Sequence, residues 1–408
     1  RFCGGKTCSV GLVFWCLVLM GMSGPCVAES PRLEVEAATG YPLPDSLVAR
    51  NGVWRGAPGT WMSFLLSRPV TNLVLSWNDR SGAWADSFPK RSCCWYPQPT
   101  HPESYQIQAS GNSTNGIDGD WVTVLEVQKN RVGSRIHEVG IGGRQWVKFV
   151  QFAGVSQLDE FTFADADQQA GDAWFFVGNS ITELSFKWYP VDMTFSGEVA
   201  AGDSGRYPTI LRGGISGVKA WEVANSIAEY REFSVGAKYW AIELGTNDMW
   251  SRGRAGLPEY RTSLTKIVEA AQANGAVPII ARVMSTDTAK TGWQVDAGFL
   301  DAVDSIVATY GLPAGPDLHE WFLAHPEELL PDGIHPNLAG ATSIHRLWAE
   351  VALRVRARRF APRAIEGVRT KAFLHVFGAG GNRASGIDAV GRPYSVGSGV
   401  GYQRRWTE

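Results

Sequence analysis

The chain has 408 residues, a formal net charge of -2, 44% hydrophobic residues and 17 tryptophans. This length allows about two or three domains, and the apolar content is ample for buried cores. A nearly neutral chain has no bulk electrostatic attraction for nucleic acid or an anionic membrane, so neither is expected as a partner.

The first 28 residues have the pattern of an export signal. Arg1 and Lys6 provide a basic start, and an apolar run of about 13 residues over 10–22 is too short for a comfortable membrane span. Small residues at Cys26-Val27-Ala28 suit a cleavage site. The sequence therefore predicts a secreted or periplasmic protein with a signal peptide over 1–28 and no stable membrane insertion. The alternative is an uncleaved anchor or a buried apolar segment.

Residues 30–165 are predicted to form an all-β sandwich or jelly roll. Short alternating runs rich in β-branched and aromatic residues are separated by turn residues, as in such folds. These runs are Thr71–Trp77, Tyr105–Ala109, Trp121–Val127 and Trp146–Phe152. The segments 116–124, 135–138 and 143–148, which begin Gly116-Ile-Asp-Gly-Asp-Trp121, resemble the discoidin-like, galactose-binding-like β-sandwich family. That resemblance raises carbohydrate binding as a role for this domain.

Residues 171–357 have a different pattern, in which strand-like runs alternate with amphipathic helical segments. In chain order these are Trp174–Val177, Val218–Tyr230, Tyr239–Leu244, Leu257–Ala273, Ala276–Ala281, Val295–Tyr310 and Leu338–Val355. Such alternation predicts βαβ units and a parallel sheet, hence an α/β domain. Ligands of open α/β sheets lie outside the carboxyl ends of the strands, where several polar blocks of this chain also fall.

The segment from Ala173 to Phe186, Ala-Trp-Phe-Phe-Val-Gly-Asn-Ser-Ile-Thr-Glu-Leu-Ser-Phe, contains the first candidate for a functional residue. An apolar strand-like run ends at Gly178-Asn179, and a helical pattern begins after Ser180. A serine at such a turn lies beside the free N–H groups and positive dipole of a helix start. Ser180 is therefore a candidate nucleophile. The alternative is that Ser180 and Glu183 form a capping box that merely starts the helix.

Four short blocks follow one another in this region. They are Gly178-Asn-Ser180, Gly213-Gly-Ile-Ser-Gly217, Glu243-Leu-Gly-Thr-Asn-Asp248 and Asp332-Gly-Ile-His-Pro-Asn337. Together they resemble the SGNH (GDSL-type) hydrolase family, whose blocks carry Ser, Gly, Asn and His in this order, and the resemblance covers nearly all of 171–357. It implies a three-layer α/β/α fold and a carboxylic ester hydrolase. The family's first block usually has Asp before the serine, so Asn179 is a departure that affects the turn more than the chemistry.

The resemblance assigns catalytic roles to residues in all four blocks. Ser180 would be the nucleophile and His335 its base, because imidazole exchanges its proton near neutral pH. Asp332, three residues earlier, can bond the other ring nitrogen and fix its tautomer. The oxyanion would be held by the N–H groups of Ser180 and Gly217 and by the side-chain amide of Asn247.

The predicted activity is hydrolysis of a small-molecule or polysaccharide ester through an acyl-enzyme, with O-acetylated carbohydrate as the leading substrate. Trp188, Tyr189 and Trp250 follow these blocks and are typical of sugar-stacking or of core residues. The alternatives are a broad-range lipase or thioesterase of the same family, and a non-catalytic carbohydrate-binding surface protein.

No cofactor and no metal site are predicted, because His101, His137 and His345 have no acids or thiols at ligand spacing. Beyond the predicted signal peptide only Cys93 and Cys94 remain, and these neighbours are expected to be packed thiols or a vicinal disulfide. Residues 358–408, rich in Gly and Ser over 378–401, are predicted to be a disordered tail.

Overall fold

The computed structural model describes residues 30–41, 53–80, 100–169 and 172–357, together with two short strands further on. The predicted signal peptide and the Cys93-Cys94 pair lie outside the described residues. The two short strands, Ala384–Ile387 and Pro393–Val396, pair antiparallel inside the segment predicted to be a disordered tail. Of the helices in the described part of the chain, none is both long and apolar enough to span a membrane.

The described part of the N-terminal domain consists of eight antiparallel strands. They are β1 (Val35–Tyr41), β2 (Trp54–Gly56), β3 (Trp61–Leu66), β4 (Asn72–Asp79), β5 (His101–Ser110), β6 (Val122–Val127), β7 (Ser134–Gly140) and β8 (Trp146–Asp165). Strand β8 is 20 residues long and belongs to two sheets. Its first half pairs with β3 and β5, and its second half pairs with β2 and β4. Strands β1 and β6 complete the first sheet, and β7 completes the second.

An aromatic core lies between these two sheets. Trp77 and Tyr105 meet edge to face at 5.5 Å between ring centroids, and Phe149 stacks on Tyr105 at 4.9 Å. All three side chains are fully buried, and Trp54 packs edge-on against Phe149. The predicted all-β fold of this region is therefore confirmed, and the predicted domain bounds of 30–165 stay a prediction. The finer likeness to discoidin-like domains stays a prediction.

The C-terminal domain contains a five-stranded parallel sheet. A short helix, α1 (Ala166–Gln169), precedes β9 (Ala173–Gly178), β10 (Thr209–Gly214), β11 (Tyr239–Glu243), β12 (Val277–Arg282) and β13 (Ala314–Asp317). The order across the sheet is β10-β9-β11-β12-β13, so the chain reverses direction beside β9. In sheets of this order, ligands bind at that reversal, outside the carboxyl ends of the strands. The sequence pattern did not predict β13, whose Ala-Gly-Pro-Asp sequence lacks residues that favour strands.

Helices cover both faces of the parallel sheet, which confirms the predicted three-layer fold class. They are α2 (Ser180–Glu183), α3 (Phe195–Gly202), α4 (Ala220–Asn225), α5 (Ile227–Phe233), α6 (Thr246–Arg252), α7 (Leu257–Ala273), α8 (Thr288–Thr291), α9 (Ala297–Tyr310), α10 (Leu318–Ala324) and α11 (Leu338–Ala357). One turn of π-helix, Leu184–Trp188, follows α2, and two 3-10 turns lie at Gly253–Gly256 and Pro326–Glu328. Strand β9 shows the layering, since Trp174 and Phe176 pack towards α3 and α11 whereas Phe175 and Val177 pack towards α4, α7 and α9.

One predicted helix is interrupted. The segment 218–230 forms α4 and α5, which are separated at Ser226, where the backbone leaves the helical region. Helix α4 therefore ends early, and the chain turns before α5 packs against the sheet.

The β domain covers the outer edge of β10. Val132, just before β7, is buried within the core of the α/β domain, and Ile136 of β7 packs against the same core. The hydroxyl of Ser134 accepts a hydrogen bond of 3.4 Å from the backbone N–H of Arg212 on β10. An uncovered edge strand is a site of unwanted pairing, so this contact protects the sheet as well as joining the domains.

Candidate active site

The turn after β9 places Ser180 at the first position of α2. Asn179 is the cap of this helix, because its side-chain oxygen accepts a 2.8 Å hydrogen bond from the N–H of Ile181. Ser180 is thus not the cap, and the capping-box interpretation of Ser180 and Glu183 is wrong. The serine hydroxyl is left to bond elsewhere, beside backbone N–H groups that have no partner within the helix.

The loop before α11 brings His335 and Asp332 to this serine. The hydroxyl oxygen of Ser180 lies 2.8 Å from Nε2 of His335, and Nδ1 of His335 lies 2.7 Å from Oδ2 of Asp332. The other carboxylate oxygen of Asp332 accepts from the N–H groups of Ile334 and His335, at 2.9 Å and 3.0 Å. The three predicted side chains therefore form one continuous hydrogen-bonded chain. Their catalytic roles stay a prediction.

Hydrogen bonds keep Asp332 in its charged form. Burial alone would raise the pKa of this carboxyl, but bonds from the backbone and side chain of His335 and from the N–H of Ile334 outweigh it and lower the pKa. A charged Asp332 favours the His335 tautomer that carries its proton on Nδ1, which leaves Nε2 free to accept the proton of Ser180.

The histidine loop is fastened on two sides. The hydroxyl of Tyr189 donates to the carbonyl of Pro336 at 2.9 Å, and the N–H of Leu330 donates to the carbonyl of His335 at 2.7 Å. Asn337 caps α11 by accepting from the N–H groups of Ala339 and Gly340. Tyr189, for which the sequence left sugar stacking and core packing open, therefore fixes the backbone beside the proposed base.

The segments that lead to Gly217 and to Asn247, the second residue of α6, start level with the serine turn. In the sheet register, Gly178 of β9 stands opposite Gly214 of β10 and Glu243 of β11. Gly217 has a φ of 74°, which L side chains rarely adopt. The side-chain amide of Asn247 donates to the carbonyl of the next residue, Val218, at 3.0 Å. This hydrogen bond holds Asn247 next to Gly217, and the action of Ser180, Gly217 and Asn247 on an oxyanion stays a prediction.

Glu183 is a supporting residue that sequence reasoning missed. Its Oε2 accepts from the N–H of Ser216 at 2.7 Å and from the hydroxyl of the same serine, one residue before Gly217. Gly214 permits this approach, since a Cβ at that position would lie 2.6 Å from the backbone nitrogen of Glu183. The Ser-x-x-Glu spacing drew attention to Glu183 as a cap, but its true partner is 33 residues away.

A second missed residue, Glu243, lies beneath the serine turn. Its carboxyl is buried and accepts from the side-chain amide of Asn179 at 3.3 Å and from the hydroxyl of Thr182 at 3.1 Å. Burial raises the pKa of Glu243 to about 8, although the bonds from Thr182 and Asn179 act in the opposite direction. Glu243 is therefore an uncharged acid at neutral pH. Across the described residues, no cluster of three or more His, Cys, Asp or Glu side chains could hold a metal ion.

Glu243 should make the protein less stable as the pH rises from 4.5 to about 8. The folded state keeps this proton up to about pH 8 and the unfolded chain releases it near 4.5, so folding binds a proton within that window. Stability then falls with rising pH and levels off once both states are ionised. Denaturant unfolding of wild type and Glu243→Gln at successive pH values would measure the difference in slope.

A matched control is Asp248→Asn. Burial raises the pKa of Asp248 from 3.8 to about 6, so its window ends lower. Above pH 6 the difference between wild type and Asp248→Asn should be constant, whereas the difference between wild type and Glu243→Gln should still change. A constant difference for Glu243→Gln over the same range would contradict an uncharged, buried acid.

Comparison with known proteins gives distant structural likenesses. No family model and no curated protein matches the chain. Among solved structures, it is similar to a variant of an acetyl xylan esterase from Geobacillus stearothermophilus, at 18% identity over 45% of this chain and 95% of that chain, with a TM-score of 0.36. A lipase/acylhydrolase from Enterococcus faecalis matches at 16% identity over 47% and 99%, with a TM-score of 0.37.

A third likeness extends further along the chain. The Bacillus subtilis protein YxiM matches at 12% identity over 76% of this chain and 89% of that chain, with a TM-score of 0.42. These TM-scores are all below 0.5, so the assignment of a function rests on the geometry of the site.

Proposed function

We propose that this protein is a serine ester hydrolase of the SGNH type. The observation that supports this most directly is the hydrogen-bonded chain from the Ser180 hydroxyl through His335 to Asp332, with distances of 2.8 Å and 2.7 Å. Serine needs an adjacent base to attack at neutral pH, and the base needs a third group to orient it. All three lie at the carboxyl ends of the parallel strands, where sheets of this order bind ligands.

The reaction would proceed in two halves. Nε2 of His335 takes the proton of Ser180 while the serine oxygen attacks the ester carbonyl. The N–H groups of Ser180 and Gly217 and the amide of Asn247 hold the resulting oxyanion. The imidazolium then gives its proton to the departing alcohol, which leaves an acyl group on Ser180. The same imidazole then takes a proton from water, whose oxygen attacks the acyl carbonyl. The imidazolium returns that proton to the Ser180 oxygen as the acyl–oxygen bond breaks, which releases the acid and restores the serine hydroxyl.

The substrate we propose is an O-acetylated carbohydrate, met outside the cytoplasm if the predicted signal peptide is present. Two tryptophans near the predicted blocks support a sugar-binding surface, because indole faces stack on sugar rings. Trp188, eight residues after the serine, is 43% exposed, and Trp250, three residues after Asn247, is 70% exposed. Single exposed aromatic side chains are common on protein surfaces, so the support comes from the position of these two beside the predicted blocks.

Replacing Trp250 with alanine should therefore separate two substrates. We expect kcat/KM for acetylated xylan to fall about 5-fold, since an aromatic contact contributes about 1 kcal/mol, while p-nitrophenyl acetate turnover stays unchanged. Acetate release and p-nitrophenol release measure the two rates. Val235→Ala is the control, because Val235 is 53% exposed but lies at the amino end of β11, away from the site. Equal losses on both substrates, or faster turnover of long-chain esters than of acetyl esters, would favour the lipase alternative.

A further inference from the structure

We infer that the β domain is a structural part of the catalytic centre, because two of its carboxylates hold the strand that leads to residues 213–217. We call these residues the oxyanion loop. Asp159 and Glu160 of β8 bind Arg212 of β10, and Arg212 precedes the segment 213–217. We call these three side chains the interdomain clamp. They are positioning residues, and the inference rests on the proposed function, in which the N–H of Gly217 stabilises the oxyanion.

The clamp is a close and largely buried arrangement. Nη1 of Arg212 lies 3.0 Å from both carboxylate oxygens of Asp159, and Nη2 bonds Oε2 of Glu160. The side chains of Arg212 and Asp159 are 12% and 13% exposed. A guanidinium can bind two carboxylates at once with its fork of donors, and such charge-assisted bonds are stronger than neutral ones. Both carboxylates belong to the β domain, whereas Arg212 belongs to the parallel sheet.

The oxyanion loop has a second anchor on its other side. Glu183 bonds the backbone and hydroxyl of Ser216, and the ammonium of Lys187 lies 3.7 Å from Glu183 with its side chain only 3% exposed. Burial lowers the pKa of Lys187, while the charge of Glu183 opposes that shift. The loop before Gly217 is therefore held from α2 at Ser216 and from the β domain at Arg212.

The topology explains why this strand needs an external clamp. Among the described strands, β10 is at the edge of the parallel sheet and pairs in that sheet with β9 alone. The other four strands do not restrain its outer side, which the β domain covers at Ser134. A displacement of about 1 Å at a catalytic group can reduce a rate about 100-fold, so the end of an edge strand is a weak place for an oxyanion donor without support.

The test compares two losses of charge on the same strand. We expect Asp159→Asn to lower kcat for p-nitrophenyl acetate by about 10-fold, with KM within about twofold of wild type, because Gly217 acts on the transition state. Asp165→Asn is the matched control, since Asp165 also lies on β8 but pairs with Arg68 inside the β domain, at 2.7 Å. It should leave kcat unchanged. Asp159→Glu keeps the charge and should restore most of the rate.

A second readout separates positioning from stability. An alkylboronic acid adds to Ser180 and places an anionic oxygen where the oxyanion would be. Its binding should weaken in Asp159→Asn by the same factor as kcat, at a temperature well below unfolding. A lysine ammonium cannot bind both carboxylates as the guanidinium does, so Arg212→Lys should also lower kcat with little change in KM. The test therefore survives if one of the two variants fails to fold.

The outcomes are distinguishable. If the wild type is active, and Asp159→Asn and Asp165→Asn have the same kcat and the same affinity for the boronic acid, the clamp is overturned and the proposed function stands. Absence of Ser180-dependent turnover and boronate binding in the wild type would overturn both. A fall in kcat and in boronate affinity confined to the clamp variants, with rescue by Asp159→Glu, is the result we expect.

Discussion

Replacing Ser180 with alanine should lower kcat for p-nitrophenyl acetate by about 10,000-fold or more. The hydroxyl is the group that His335 would deprotonate, at 2.8 Å, and alanine leaves neither a nucleophile nor an acyl acceptor. Release of p-nitrophenol by purified wild type and variant, with a burst measurement for the acyl-enzyme, gives the comparison.

The control for this substitution is a second serine in the same segment. The hydroxyl of Ser185 is buried and donates to the carbonyl of Ile181 at 2.8 Å, so Ser185→Ala loses an ordinary hydrogen bond. That loss should cost about 1 kcal/mol of stability and leave turnover nearly unchanged. Equal rates for wild type and Ser180→Ala would remove the enzymatic interpretation and favour a carbohydrate-binding protein without catalysis.

Replacing Asn179 with aspartate, the residue usual at this position in the SGNH family, should damage this protein rather than improve it. The Asn179 amide donates to the buried carboxyl of Glu243 at 3.3 Å, and an aspartate would set two carboxyls face to face. We expect the free energy of unfolding to fall by about 3 kcal/mol, because an amide donor is replaced by a second buried carboxyl, and the two carboxyls can face each other only while they share a proton. The loss should grow as the pH rises, since the pair then loses the proton it shares.

A second change should repair the first. Glu243→Gln in the Asn179→Asp background supplies an amide that can donate to the introduced carboxylate, so the double variant should regain most of the lost stability and turnover. Denaturant unfolding and p-nitrophenyl acetate kinetics of the two single variants and the double variant form a complete cycle. Additive effects, with no rescue, would show that the amide of Asn179 and the carboxyl of Glu243 do not depend on each other.

Asn179 and Glu243 also show which contacts can be predicted from the sequence and which cannot. The turn at Ser180 and the blocks that contain Asn247 and His335 are each local patterns, so their order along the chain predicted which side chains would meet. The sequence did not show why asparagine stands at position 179. Glu243 ends an apolar strand, and its partners Thr182 and Asn179 lie 61 and 64 residues away. Contacts of that span leave no local signal.

The same limit applies to the fold. Alternating strands and helices predicted the parallel sheet, yet β13 was missed because it is short and lacks β-branched residues. In the β domain, the run predicted over 146–152 is the beginning of a strand that continues to Asp165. Ala153-Gly154-Val155 breaks the alternating pattern at the point where β8 passes from one sheet to the other. Among the described strands, β5 alone pairs with residues 153–155, with register shifts at Ser104, and Gly154 has a φ of 83°, so a glycine accommodates the change of sheet.

The passage of β8 through both sheets limits how freely evolution or an engineer can exchange modules in this protein. Strand β8 also brings Asp159 and Glu160 to Arg212, and it ends a few residues before β9, the strand that leads to Ser180. A graft of residues 172–357 onto an unrelated domain would leave Arg212 without its two carboxylates. It would also expose the outer edge of β10 to self-association. We therefore expect recombination to keep the β domain and the α/β domain together.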